Sequence, residues 1–106
     1  MKSQALMVFV TTPNRQVSDR LSKLVVGQKL AACANALPRV RSLYWWKGKI
    51  QKGKEELLIL KTQKSHWAKL SKAIRENHPY EVCEILALPV ARGNPAYLKW
   101  IADSLR

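Results

Sequence analysis

Acid, glycine and cysteine are all scarce in this chain, and each shortage removes a class of protein. Seven Asp and Glu stand against nineteen Lys and Arg in 106 residues, a formal charge of +12. That balance predicts attraction to anionic surfaces and, without sequence preference, to nucleic acid. With only four glycines, neither a P-loop nor a GxGxxG turn is present, which removes the common phosphate-cradling folds. The two cysteines, Cys33 and Cys83, lie far apart with no CxxC and no Cys/His cluster, so neither a disulfide framework nor a structural zinc site is signalled. No apolar run approaches the roughly 20 residues of a membrane span, and Met1 to Val10 lacks a signal peptide's charged head, long apolar stretch and cleavage site. A cytoplasmic protein without a membrane partner is expected. The two histidines, His66 and His78, neighbour no Ser or Cys in a recognisable hydrolase motif, so no nucleophile and base pair supports an enzyme.

What is present is a hydrophobic fraction of 47%, enough for one globular domain over residues 1–106. The run ALMVFVTT, closed by Pro13-Asn14, reads as a strand buried on both faces. Val17, Leu21, Leu24 and Val25 recur at helical spacing behind a capping Asn14, predicting a helix over 15–29. Leu30 to Trp46 predicts a long strand bent at Pro38, which cannot donate to a ladder and marks an edge or bulge. Lys47-Gly48-Lys49 offers a hairpin turn into a third strand carrying Leu57 to Leu60. Ser65 is the expected cap of a second helix with Trp67, Leu70 and Ile74 inward, stopped at His78-Pro79. A fourth strand is expected over Val82 to Leu88, and Asn94-Pro95 opens a last helix.

The order βαββαβ with an appended helix is the split βαβ arrangement: an α+β, ferredoxin-like domain with a four-stranded antiparallel sheet and both long helices on one face. Because the first, third and fourth strands are apolar on both alternations, the opposite face is expected to lack a cover and to drive assembly with other copies.

Six ordered motifs then resemble a known family: Thr12-Pro13, Leu30 to Asn35 (LAACAN), Ser42 to Ile50 (SLYWWKGKI), Leu60-Lys61-Thr62, His78 to Glu81 (HPYE) and Gly93 to Leu98 (GNPAYL). Together they resemble the CutA divalent-cation tolerance proteins over nearly the whole chain. The resemblance implies a homotrimer related in fold and assembly to PII-type signalling proteins, with copper binding and a link to heavy-metal tolerance. Some members of that family carry a cysteine where this chain has Val10 and a histidine where it has Asn77, so only His78 remains of that set. Cys83 stands where the family usually has proline.

His78, Cys83 and Glu84 are therefore the candidate ligands of a weakly bound copper or other divalent ion, since copper favours imidazole and thiolate. On a strand, Glu81 and Glu84 would face opposite ways, so only one would join His78. The remaining candidates are Cys33, Tyr44, Trp45, Trp46, Lys61, Tyr80 and Glu81, expected in a cleft between subunits. A PII-like alternative places an anionic metabolite or nucleotide there, neutralised by Lys61 or Arg92. Aromatics beside Lys47 and Lys49 can stack bases. However, the third strand lacks the glycine and aromatics of an RNA-reading sheet, leaving nucleic acid only a charge-driven role.

Overall fold

The structure, a computed structural model, describes residues 3–106; Met1 and Lys2 of the domain expected over 1–106 lie outside the described residues. The chain runs β1 (Ala5–Thr12), α1 (Arg15–Gly27), β2 (Cys33–Trp46), β3 (Lys49–Gln63), α2 (Trp67–Asn77), β4 (Leu86–Pro89) and α3 (Pro95–Ser104), with a short 3-10 turn, Lys64–His66, before α2. The sheet order is β2-β3-β1-β4, with every pairing antiparallel. This is the ferredoxin-like α+β fold with its C-terminal helix. Among the described residues no helix is long and apolar enough to cross a membrane.

Asn14 caps α1 by accepting from the Val17 amide at 2.9 Å, and the helix stops at Gly27, two residues early, because Lys29 turns left-handed (φ 57°). That turn lets the Leu30 and Ala31 amides donate back to the Val25 carbonyl at 2.8 and 3.1 Å, covering a helix-end acceptor. Val17, Leu21 and Val25 of α1 and Leu70 and Ile74 of α2 bury themselves against Val8, Val10, Leu58 and Leu60, each contributing roughly 1.5–3 kcal/mol on leaving water. Ser65 does not cap α2: its hydroxyl goes to His66 Nδ1 at 2.9 Å and its amide to Ser3, so Lys64–His66 is consumed by the 3-10 turn.

Two differences decide where the site lies. The fourth strand begins at Leu86 and not at Val82. The Tyr80 amide is drawn instead to His78 Nδ1 and its hydroxyl to Glu55, which holds Tyr80 to Ile85 off the ladder. The second concerns the sheet face opposite α1 and α2. Paired residues share a side, so this face carries Leu88, Met7, Lys61 and Cys33 in one row and Leu86, Phe9, Ile59 and Asn35 in the next. It is not left bare as expected. Helix α3 packs over its β2–β3 end, where the Tyr97 hydroxyl lies 3.8 Å from Cys33 Sγ and Ile101 and Leu105 are buried. Leu86 and Leu88 of β4 stay exposed on the same face.

The β2–β3 hairpin outruns β1, whose pairing ends at Glu56, and gives the molecule extents of 46 × 25 × 23 Å. Lys47 and Gly48 turn it with φ of 50° and 77°, positive at both central positions as a type I′ turn requires. Leu43, Trp45 and Ile50 are exposed on this arm.

Candidate functional site

A bulge in β2 determines which side chains the arm offers. The register slips between Leu37 and Val40, at Pro38 and at Arg39, which takes φ 61°. A one-residue slip exchanges the two faces of a strand. Before it, the odd-numbered Cys33 and Asn35 share a side with Lys61 and Ile59; after it, the even-numbered Val40, Ser42 and Tyr44 share that side with Glu55, Gly53 and Gln51. Tyr44 and Trp46 thereby face the loop between α2 and β4. Leu43 and Trp45, 67% and 71% exposed, project from the other side of the arm. Gly53 makes room for Tyr44: a Cβ there would already touch Tyr44 Cε1 at 3.4 Å.

Between the arm and the loop lies a cavity of about 640 Å³. Tyr44 and Trp46 form its arm side, Tyr80, Glu81 and Glu84 its loop side, and Glu55 its floor on β3. Three of the chain's seven acids thus line one cavity whose walls hold no Lys, Arg or His. The Tyr80 hydroxyl donates to Glu55 Oε2 at 2.8 Å; burial first, then this bond and the Glu55 charge, push the Tyr80 phenol well above its ordinary range. Partial burial, then the nearby Glu55 charge, raises the Glu84 carboxyl as well. Three carboxyl groups gathered in a cavity whose walls carry no side-chain cation form a site that attracts positive charge.

His78 stands behind this wall, 9% exposed, its ring 4.7 Å from that of Tyr80. Its Nδ1 accepts the Tyr80 amide at 3.1 Å, which leaves Nε2 to donate to the Thr11 carbonyl at 2.8 Å. Both nitrogens are spent, so His78 closes α2 and positions the loop without a lone pair for an ion. Burial raises the Cys83 thiol above its ordinary value, away from the thiolate that ligates metals, and Cys83 is not in the cavity wall. Among the described residues no three His, Cys, Asp or Glu side chains converge closely enough to hold an ion, and of the expected set His78, Cys83 and Glu84 only Glu84 lines the cavity.

Of the expected cleft residues, Tyr44, Trp46, Tyr80 and Glu81 meet in the cavity. Trp45 does not, because the bulge turns it away. Cys33 and Lys61 sit in the row of the sheet beside α3, where the Lys61 ammonium donates to the Asn35 side chain. Glu81 and Glu84 both line the cavity, since residues 80–85 form a loop and the strand alternation expected to set them on opposite sides does not apply there. Glu55 was not among the expected residues; the only sequence signal for it was a carboxylate after the basic stretch from Arg39 to Lys54, on the strand that pairs with the bulge.

The sequence matches the family model described as CutA1 divalent ion tolerance protein over residues 6–104. The chain belongs to the CutA family. It is 44% identical over 102 residues to the rice protein named Protein CutA 1, chloroplastic, covering 96% of this chain and 58% of that one. To the divalent-cation tolerance protein CutA of Citrobacter koseri it is 42% identical over 103 residues, covering 97% and 90%. The crystal structure of CutA1 from Oryza sativa superposes with a TM-score of 0.94 at 43% identity, covering 98% of this chain and 95% of that one. The chain spans about half to three-fifths of the length of the plant and animal CutA proteins it matches.

Proposed function

We propose that the protein serves divalent-cation tolerance as a cytoplasmic, non-enzymatic homotrimer that holds a divalent ion weakly in the acidic cavity. The observation that carries this reading is the gathering of Glu55, Glu81 and Glu84 in one cavity without a cationic side chain in its walls. An ion entering there offsets their charge. Glu55 and Glu84 are the ligands this chain offers, with Glu81 at the rim and a neighbouring copy supplying the remainder. Carboxylate oxygens suit a hard divalent ion or copper(II), whereas copper(I) prefers the thiolate and imidazole donors that Cys83 and His78 do not make available.

Assembly is supported by the two unpaired sheet edges, β2 and β4, and by the hydrocarbon on the arm. A two-stranded ribbon is marginal in water unless it packs against something. The alternative anionic ligand has less support: the cavity is acidic, and Lys61 already donates to Asn35.

Calorimetric titration with Mn²⁺ and Cu²⁺, alongside sedimentation equilibrium at micromolar protein, tests the proposal. Three copies per particle are expected, with binding that weakens at least tenfold in Glu84→Gln and is unchanged in His78→Gln. A stable monomer rejects the assembly, and undiminished binding in Glu84→Gln rejects the site.

A further inference from the structure

The cavity has features that a bare ion does not need. At about 640 Å³ it falls within the roughly 300–1,000 Å³ of small-molecule sites. Its carboxylates do not converge tightly on one point, and Tyr44, Trp46 and Tyr80 supply aromatic surface between them. Rings attract positive charge through their negative faces, most strongly when the charge is carried by a weakly hydrated organic ammonium. The chain already shows this at Trp46: Lys47 holds its Nζ 5.8 Å from the ring centroid.

We propose that the cavity binds a small organic ammonium ion, a substituted amine whose charge meets Glu55 and Glu84 and whose alkyl groups lie against Tyr44, Trp46 and Tyr80. The ligand class follows from the combination. An anion is repelled by three acids, a neutral apolar molecule leaves the carboxylates unanswered, and a hydrated metal ion gains nothing from the rings. Tyr80 is fixed for this role from both sides, by its hydroxyl on Glu55 at 2.8 Å and its ring against His78. The bulge at Pro38 and Arg39 brings Tyr44 and Trp46 to the same side as the acids. The proposal uses the cavity of the preceding section but does not require metal binding.

The test is a calorimetric titration of the full chain, in its native assembly at low ionic strength, with choline and with choline's uncharged isostere in which carbon replaces the ammonium nitrogen. Choline is expected to bind at least tenfold more tightly than the isostere. Tyr44→Leu, checked for folding by circular dichroism, is expected to weaken choline about tenfold and to leave Mn²⁺ titration unchanged, whereas Glu84→Gln weakens choline. Equal binding of choline and its isostere overturns the proposal without any variant, as does the absence of choline binding because a neighbouring copy's lysine fills the cavity. Choline binding that survives Tyr44→Leu and Trp46→Leu undiminished assigns the effect to the carboxylates alone and overturns the role of the rings. Loss of Mn²⁺ binding with choline binding retained would count against the divalent-ion reading only.

Discussion

Replacing Tyr80 by Phe removes one oxygen and little else, which makes it the sharpest probe of how the loop is held to the arm. The ring stays beside His78, so no cavity opens, and the loss is the 2.8 Å bond to the Glu55 carboxylate. Hydrogen bonds to charged groups contribute about 1.5–3 kcal/mol. Glu55 is only half-buried and is rehydrated when the bond is lost, so the low end, about 1.5 kcal/mol, is expected. With a urea slope of roughly 1–3 kcal/mol/M, the midpoint falls by about 0.5–1.5 M at fixed protein concentration. The phenol adds a second signature. In the unfolded chain Tyr80 releases its proton near pH 10, while burial and Glu55 hold that proton in the folded chain. The native state therefore binds more protons above pH 10, and stability falls as pH rises there, by up to about 1.4 kcal/mol per pH unit. Tyr80→Phe should lower stability at neutral pH and flatten this alkaline decline. A midpoint unchanged at neutral pH, or a zero coupling energy in the double-mutant cycle with Glu55→Gln, would refute the reasoning.

Glu84→Gln is expected to change the acid side of the stability curve. The folded carboxyl sits above its ordinary 4.5, so the native state holds the proton longer and wild-type stability falls as pH rises from about 4.5 through the folded value; urea titrations across that window should show the fall lost in the variant. Gly48→Ala, at φ +77° with open space around the added methyl, should cost about 1 kcal/mol through backbone strain alone, and denaturation that shows no loss would reject the turn assignment. The buried hydroxyls of Thr12 and Ser18 are 2.6 Å apart: Ser18→Ala alone should cost about 1–3 kcal/mol by leaving its partner poorly satisfied, and the double variant Thr12→Val, Ser18→Ala should cost less than the sum of the single changes.

The parts of the fold that were legible in the sequence rest on short-range rules. Asn14 and Asn94 cap their helices with side-chain oxygens, Gly48 supplies a positive φ, and Pro38 marks the bulge, each acting within a few residues of itself. The misread parts depend on distant partners. Nothing in Val82 to Ile85 announces that Tyr80 will be taken by Glu55 and His78, yet those two bonds shorten β4 and turn Glu81 and Glu84 into cavity walls. The strand through Leu43, Tyr44, Trp45 and Trp46 was legible, but which of these side chains face the loop was not. The residue count across the bulge decides that, turning Tyr44 and Trp46 toward the loop. Likewise the amphipathic α3 was evident without its docking place, which appears only when Tyr97 meets Cys33 across the sheet.

The long hairpin also has a temporal consequence. Ribbons of this kind zip from the turn in roughly 1–10 μs, and every residue of the arm has been synthesised by Gln63, before β4 and α3 exist. For that interval the outer margin of β2 is an open template on which nascent chains could stack. The basic stretch from Arg39 to Lys54, which contains no acid, makes two such ribbons repel each other, so the same lysines and arginines that leave the mature arm so positive act as gatekeepers while the chain is still incomplete.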